Sequence, residues 1–306
     1  MNPRVTVIIA TYNWSSVLPY SIGSVLRQTF RDFEVLVAGD GCTDDSERVV
    51  AAIGDSRVRW INLPENTRHQ SAPNNEALRQ ARGEIVAYLG HDDLWLPHHL
   101  AAHVEALDRT ASDVAYSLCM IVPRDGLASW PSMPEPRHGV FSPPSCMTHR
   151  RSVTEELGGW RDYRQLDEWR EVSPDMELWR RAQAAGKRFT FVPRLSGIKF
   201  PAALRPGVYR QRPSHEQAQW LARIDAEPQL EPALLAECVA GGQVPGSMPF
   251  RRLLRYVVNE TAIRIRRRLK LQSFGMRLPW RGRIDDNRRF KGLEDEDNDA
   301  HQRPQG

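Results

Sequence analysis

The sequence has few cysteines and no long hydrophobic run, and these absences exclude several classes of protein. Its four cysteines form no CxxC pair, so neither a disulfide framework nor a zinc knuckle is predicted. No stretch of 18 apolar residues occurs, which argues against a membrane-spanning helix. The first residues lead into a strand pattern without the hydrophobic region of a signal peptide, so a cytoplasmic location is expected.

Several common functional motifs are also absent. Neither GxGxxG nor GxxxxGK[ST] follows the first strand pattern, which excludes the usual dinucleotide and P-loop fingerprints. His215-Glu216 lacks the second histidine of HExxH, and no GxSxG is present. A zinc protease or a serine hydrolase is therefore not indicated.

The length and the distribution of charge predict the domain organisation. A chain of 306 residues with 41% hydrophobic and 26% charged residues suits one α/β domain followed by an extension. We place the catalytic domain at 1–200, a helical basic extension at 201–284, and a polar tail expected to be disordered at 285–306.

Strand and helix patterns alternate along the first 90 residues. The segment 5–10 is almost entirely apolar and rich in β-branched residues, as expected of a central parallel strand. Helical spacing follows at 17–26 and again at 71–82, and further strand patterns cover 33–37, 58–63 and 84–89. This alternation predicts a doubly wound, mostly parallel sheet with a ligand site beyond the carboxyl ends of its strands.

Asp92 and Asp93 directly follow the fourth strand pattern. At that edge of the sheet, two carboxylates could meet a divalent cation such as Mn²⁺ or Mg²⁺ and a diphosphate. A competing explanation is that one of them caps the helix that begins near Pro97.

Two other acids occupy informative positions. Asp40 follows the second strand, where its carboxylate could accept hydrogen bonds from a base while Tyr12 stacks on it, although Asp40-Gly41 also reads as a simple turn. Asp175 begins a helical pattern and could act as a general base or cap its own helix, with Glu177 as a rival base.

Taken together, these motifs resemble the family-2 glycosyltransferases of GT-A fold, whose sheet is mixed but mostly parallel. The stretches that carry the resemblance are 5–13, 24–37, 40–44, 83–93, 157–160 and 175–180. The resemblance covers roughly residues 3–195, and the stretches follow one another in the family's order.

The resemblance implies a role for each of eight residues. Ala10, Tyr12 and Asp40 would hold the base of the nucleotide. Asn74 and Arg68 would lie near the donor and its phosphates, Asp92 would contact ribose or sugar, and Asp93 would bind the metal. Asp175 would be the base of a single inverting displacement.

Three residues depart from the family pattern. Gly39 replaces the first of two acids usual before the glycine, Pro73 stands where arginine is frequent, and Pro174 replaces an acid before the base. The Gln-x-x-Arg-Trp motif of processive synthases is missing, so transfer of one sugar per encounter is expected.

The segment 251–270 carries eight basic residues and one acid along an apolar stripe. Such a helix could lie on the inner face of an anionic membrane, within reach of a lipid-linked acceptor, or pack on the catalytic domain. Few aromatic residues interleave the charges, so nucleic acid is not an expected partner.

The sequence thus predicts an inverting, metal-dependent, non-processive glycosyltransferase of bacterial surface polysaccharide or glycoconjugate synthesis. Its donor would be a nucleotide-diphosphate sugar, with UDP as the expected nucleotide, and its acceptor a hydroxyl of a sugar, a lipid-linked sugar or another molecule. The alternative is a protein of the same fold that binds nucleotide sugars or acts as a scaffold without catalysis.

Overall fold

A computed structural model describes residues 2–122, 130–132, 142–162, 173–202, 205–240 and 290–293. The described strands form one mixed sheet in the order β3-β2-β1-β4-β8-β6-β9-β5, with β7 paired to β6. The strands are β1 (Val5–Thr11), β2 (Phe33–Gly39), β3 (Val58–Asn62), β4 (Ile85–Tyr88), β5 (Leu94–Trp95), β6 (Val114–Ile121), β7 (Trp130–Ser132), β8 (Met147–Arg150) and β9 (Phe189–Lys199).

Nine α-helices are present in the described ranges. They are α1 (Leu18–Leu26), α2 (Ser46–Ala52), α3 (Ser71–Gln80), α4 (His99–Thr110), α5 (Arg151–Leu157), α6 (Pro174–Ala184), α7 (Val208–Gln211), α8 (His215–Ala226) and α9 (Leu230–Ala240). The helices predicted at 17–26 and 71–82 therefore form as α1 and α3, within a few residues of the expected bounds.

Both faces of β1, β2 and β4 are covered, which explains why these strands are mostly apolar. Strands β3, β2, β1 and β4 pair in parallel. Val7 and Ile9 of β1 pack in one cluster with α1 and α4, whereas Ile8 packs on the opposite face in a cluster with α3 and α6. Successive residues of a strand point to opposite faces, so each face needs its own apolar set.

The second half of the sheet differs from the sequence-based expectation. Strand β8 runs antiparallel to β4 and β6, and β9 runs parallel to β6 and antiparallel to β5. Strand β9 pairs with β6 from Phe189 and continues to Lys199 after a register shift opposite Ser117 and Leu118. Its last residues form a strand because they pair with both β6 and β5, a contact that local sequence does not encode.

The C-terminal helices share a core with the sheet. Leu221 and Ile224 of α8 and Leu234 of α9 pack in one cluster with Leu94 and Phe200. The division at residue 200 stays a prediction, and the segment 251–270 lies outside the described residues, as does all of 285–306 except 290–293. In the described part of the chain, no helix is both long and apolar enough to cross a membrane.

Gly83 and Asp44 each have a specific local role. A Cβ at Gly83 would lie 2.5 Å from the backbone nitrogen of Thr6, so a glycine is needed there. The start of α2 is held by Asp44, whose carboxylate accepts hydrogen bonds from the backbone and hydroxyl of Ser46.

A buried acid ties the parallel strands together at the edge opposite the polar clusters. The carboxylate of Glu34 accepts hydrogen bonds from the Thr6 hydroxyl and from the Arg82 backbone and guanidinium, and it also pairs with Arg59. Its side chain is 2% exposed. Burial opposes its ionisation, but the hydrogen bonds from Arg82 and Thr6 outweigh burial and lower the pKa of Glu34.

We expect Glu34→Gln to lower the free energy of unfolding by about 3 kcal/mol near pH 7, because it leaves buried donors poorly paired. A lowered folded-state pKa stabilises the fold above the unfolded pKa, and this stabilisation is lost as the pH falls through the folded value. The difference between wild type and variant should therefore shrink in acid, as measured by urea unfolding.

Glu84→Gln is the matched control for this experiment. Glu84 also pairs with an arginine, Arg4, but its side chain is 66% exposed, so its loss should cost less than about 1 kcal/mol. Equal losses in the two variants would contradict the structural role of Glu34.

Candidate active site

The three polar clusters expected at the carboxyl ends of the parallel strands lie side by side. The Asp40 backbone nitrogen donates to the Thr11 carbonyl over 2.9 Å, joining the ends of β2 and β1. The Thr11 hydroxyl contacts Nδ1 of His91 at 2.9 Å, which joins β1 to the segment after β4. The sheet thus assembles one site from three separate parts of the sequence.

The Asp40 carboxylate is buried and already holds a loop. Its Oδ1 accepts hydrogen bonds from the backbone nitrogen and the hydroxyl of Thr67, at 3.0 and 2.6 Å. Burial raises the pKa of Asp40, and the bonds from Thr67 partly oppose this rise. Asp40 is therefore more than a turn residue, because it anchors the segment that leads to Arg68.

The other residues expected around the donor have different environments. Ala10 and Tyr12 are half-buried at the end of β1, and Asn74 is buried in α3. Arg68 is exposed in the loop held by Asp40 and has a φ of 70°, in the left-handed region that few non-glycine residues adopt.

The absence of an acid at position 39 has a steric cause. A Cβ at Gly39 would lie 2.5 Å from Oδ1 of Asn62 and 2.8 Å from the ring of Trp60. Asn62 in turn pairs through its amide with the backbone of Cys42. The indole and the amide on β3 therefore fill the space that a side chain at position 39 would need.

Asp93 is completely buried, and protein donors surround its carboxylate. Oδ1 accepts a hydrogen bond from the backbone nitrogen of Phe200 at 3.0 Å. Oδ2 accepts one from the hydroxyl of Ser145 and forms an ion pair with the Lys199 ammonium at 2.9 Å. The residue expected to bind a metal thus has a lysine as its cationic partner.

Asp92 lies in the same turn but has fewer partners. Among the described residues, no other side chain donates a hydrogen bond to its carboxylate, although Gln217 of α8 donates to its backbone carbonyl. Burial and the neighbouring Asp93 raise the pKa of Asp92. Helix α4 begins only at His99, and no side chain caps it, so neither aspartate acts as the helix cap considered above.

Lys199 is the common positive charge of this cluster. Burial opposes its charge, but Asp93 and Asp92 raise the pKa of Lys199 above its ordinary value. The same ammonium lowers the pKa of Asp175, although burial raises that pKa overall. The charge of Lys199 therefore acts on three of the acids that the sequence singled out, namely Asp92, Asp93 and Asp175.

The structure separates the two acids of α6. Glu177 is buried and forms ion pairs with Arg181, at 2.8 Å, and with Arg161, at 3.2 Å. Oδ1 of Asp175 is also buried, but it has no hydrogen-bond partner among the described residues. Glu177 is thus neutralised within the protein. The Asp175 carboxylate receives hydrogen bonds from Ser173 and from the Met176 backbone, but no described residue donates to its Oδ1.

His91 links the site to the C-terminal part of the chain. Besides its contact with Thr11, its Nε2 lies 3.2 Å from the hydroxyl of Tyr209 in α7, and Trp14 packs edge-on against both rings. Burial lowers the pKa of His91 to about 4. The ring is therefore neutral near pH 7, and both of its nitrogens have partners.

These contacts decide how well the residues fit a divalent cation. Such ions need open oxygen ligands, often one or two carboxylates together with substrate phosphates. Asp93 has no open oxygen, and the described residues contain no group of three His, Cys, Asp or Glu side chains placed to hold a metal. Asp92 is the remaining candidate ligand, and the positive charge of Lys199 already acts on its carboxylate. This donor set therefore does not fit a tightly bound cation.

Sequence reasoning missed three residues that complete the site. Lys199 and Ser145 bind Asp93, and Tyr209 contacts His91. A lysine directly after the small and apolar run 195–198 is the one local signal that could have drawn attention to position 199. Ser145 and Tyr209 have no comparable signal in the sequence.

Comparison with known proteins identifies the family. Residues 6–162 match the model of the family described as glycosyl transferase family 2, which is just over half of the chain. The chain belongs to glycosyltransferase family 2. The family predicted from the motifs is therefore confirmed.

The names of some curated relatives of this family 2 chain state a reaction, and one of them comes from Escherichia coli. It is the Escherichia coli enzyme WfgD, a UDP-Glc:α-D-GlcNAc-diphosphoundecaprenol β-1,3-glucosyltransferase, which is 31% identical over 103 residues, or 34% of this chain and 40% of that protein. The chain spans about half the length, or less, of several curated relatives that it matches. It covers 53% of one of these proteins and 35% of another.

Two solved structures share the fold. TarS of S. aureus in complex with UDP-GlcNAc aligns with a TM-score of 0.56 and 20% identity, over 77% of this chain and 71% of that chain. The mannosyltransferase PcManGT of Pyrobaculum calidifontis, in complex with GDP-Man and Mn²⁺, aligns with a TM-score of 0.52 and 19% identity, over 97% and 88%. These likenesses confirm the predicted GT-A fold.

The crowding at Gly39 leads to a testable prediction. Gly39→Asp should lower the free energy of unfolding by about 1–3 kcal/mol, because the new side chain displaces Trp60 or Asn62. Gly39→Ala carries the same Cβ without the charge, so it should also lose stability. A fully stable Gly39→Asp protein in thermal unfolding would show that the ring does not exclude the acid.

Proposed function

We propose that this family 2 protein is an inverting, non-processive glycosyltransferase that moves one sugar from a nucleotide-diphosphate sugar to an acceptor hydroxyl. The observation that carries the proposal is the buried Oδ1 of Asp175, which lacks a partner among the described residues. A buried polar atom without a hydrogen bond is costly in a native protein. An acceptor hydroxyl that donates to this atom would satisfy it and be activated by it.

The donor site in this proposal combines the ends of β1 and β2 with the turn after β4. Ala10, Tyr12 and Asp40 hold the base, and Asp92 contacts ribose or sugar through its carboxylate, which receives no hydrogen bond from another described side chain. Arg68 and Asn74 approach the donor from the β3–α3 region. UDP is the expected nucleotide, which agrees with the donors that the names of WfgD and the TarS complex state.

The chemical step is a single displacement. The acceptor oxygen attacks the anomeric carbon and forms the new glycosidic bond, while its proton passes to Asp175. The bond between the anomeric carbon and the β-phosphate oxygen breaks, and its electron pair leaves on the nucleoside diphosphate. Burial raises the pKa of Asp175, which makes this carboxylate a stronger base than an ordinary aspartate.

The biological setting that we propose is bacterial surface polysaccharide or glycoconjugate synthesis. The support is the name of the E. coli relative, whose acceptor is a diphosphoundecaprenol-linked sugar. A lipid-linked sugar is accordingly one acceptor class to test first. Contact of 251–270 with a membrane stays a prediction, because that segment lies outside the described residues.

A thermal-shift panel of UDP, GDP, CDP and dTDP tests the donor site. At least one nucleotide should raise the melting temperature, because a ligand that binds only the folded state stabilises it by mass action. Mass spectrometry with the matching nucleotide sugars and a sugar or lipid-linked acceptor should then detect a product. If none of the four nucleotides changes the melting temperature, the donor site is wrongly assigned.

Replacing each acid of α6 separates the two candidate bases. Asp175→Asn should lower kcat by about 10²–10⁴-fold and leave nucleotide binding intact, because general-base catalysis contributes in that range. Glu177→Gln is the matched control, since Arg181 and Arg161 already pair with that carboxylate, and kcat per folded molecule should change far less.

The outcome also distinguishes an enzyme from a scaffold. A larger loss of kcat in Glu177→Gln than in Asp175→Asn would assign the base to Glu177. Tight nucleotide binding without turnover of any donor would favour the alternative of a catalytically inactive binding protein.

A further inference from the structure

The buried ion pair of Asp93 and Lys199 lies where family membership leads one to expect a metal. A divalent cation at such a site binds carboxylate and phosphate oxygens together and offsets the charge of the leaving diphosphate. In this chain, an ammonium group already contacts the carboxylate at 2.9 Å. The inference below rests on the proposed donor site.

The environment of Asp93 leaves little room for a second cation. Its Oδ2 is shared by the Ser145 hydroxyl and the Lys199 ammonium, and its Oδ1 is bound by the Phe200 backbone. The side chain has no exposed surface. A metal could reach this carboxylate only after these donors had moved and left Lys199 without its counterion.

The Lys199 ammonium, by contrast, can still donate hydrogen bonds to a ligand. An ammonium has three donor hydrogens and no acceptor, and among the described residues it makes one hydrogen bond, to Asp93. Its side chain is 27% exposed while that of Asp93 is 0% exposed. The lysine thus lies on the outer side of the pair, with donors left for an anion.

The backbone holds this lysine in a fixed position. Lys199 is the last residue of β9, where it pairs with Ile121 of β6, and Ile198 pairs with Leu94 of β5 directly after Asp93. The next residue, Phe200, donates its backbone nitrogen to the same carboxylate. Two consecutive residues therefore fasten one end of β9 to the turn that carries Asp92 and Asp93.

We propose that Lys199 binds the diphosphate of the donor and supplies the positive charge that a divalent cation brings elsewhere, so that this chain binds nucleoside diphosphates without a metal. Asp93 then positions the lysine and does not bind a metal. Lys199 stabilises the negative charge that develops on the departing β-phosphate oxygen.

Binding measurements with diphosphates and monophosphates test this assignment. We would titrate the full chain in EDTA with UDP and UMP, GDP and GMP, CDP and CMP, and dTDP and dTMP. For the nucleotide that binds, the diphosphate should bind about 10–100-fold more tightly than the monophosphate, the contribution of hydrogen bonds to a charged group. Added Mn²⁺ or Mg²⁺ should change this ratio by less than about threefold, a difference below 1 kcal/mol.

Variants at position 199 separate a binding role from a merely structural one. Lys199→Met should abolish the preference for the diphosphate and leave the affinity for the monophosphate nearly unchanged, whereas Lys199→Arg should keep part of the preference. Lys187→Met is the matched control, because Lys187 also pairs with a carboxylate, that of Glu156, outside the site. It should keep the whole preference.

A second variant covers the case in which Lys199→Met does not fold because Asp93 is left buried and unpaired. Asp93→Asn combined with Lys199→Met removes both charges together, which is far less costly than removing one. It should fold and show the same loss of preference for the diphosphate.

Two results would overturn the proposal. One is diphosphate binding that requires Mn²⁺ or Mg²⁺ in the wild type, and the other is an unchanged preference in the folded variants without Lys199. Either result would leave the proposed glycosyltransferase standing. A complete failure of all nucleotides to bind, with or without metal, would instead remove the proposed function together with this inference.

Discussion

The organisation of the site depends on the buried ion pair of Asp93 and Lys199. Removing one partner of such a pair leaves an uncompensated buried charge, at a cost of about 3–5 kcal/mol. The pair joins the turn after β4 to the end of β9, and the same turn carries Asp92. The position of Asp92 therefore depends on a carboxylate that is itself inaccessible.

The same division between a neutralised acid and an available acid occurs twice at the site. Asp93 is paired with Lys199, while the carboxylate of Asp92 receives no hydrogen bond from another described side chain. Glu177 is paired with Arg181, while Oδ1 of Asp175 has no described partner. In each case protein donors already bind one acid, while its neighbour keeps a carboxylate oxygen that no described side chain binds.

The C-terminal helices belong to this arrangement. Tyr209 of α7 contacts His91, and Gln217 of α8 donates to the carbonyl of Asp92. Leu221 of α8 packs in the same cluster as Leu94, which follows Asp93. Residues beyond 200 thus hold the turn after β4 from the side that the sheet does not cover.

The sequence by itself determined the parallel half of the sheet, because β1, β2 and β4 are buried on both faces and are therefore mostly apolar. It also determined the family and the positions of the acids, since several short motifs follow one another in the family's order. Only the tertiary structure decided that β9 extends to Lys199, that Trp60 fills the space beside Gly39, and which acid of each neighbouring pair is neutralised. Local sequence does not encode the first two features, because Lys199 lies 106 positions from Asp93 and Trp60 lies 21 positions from Gly39. Glu177 is a separate case, since Arg181 lies one helical turn away but Arg161 reaches the same carboxylate from another segment.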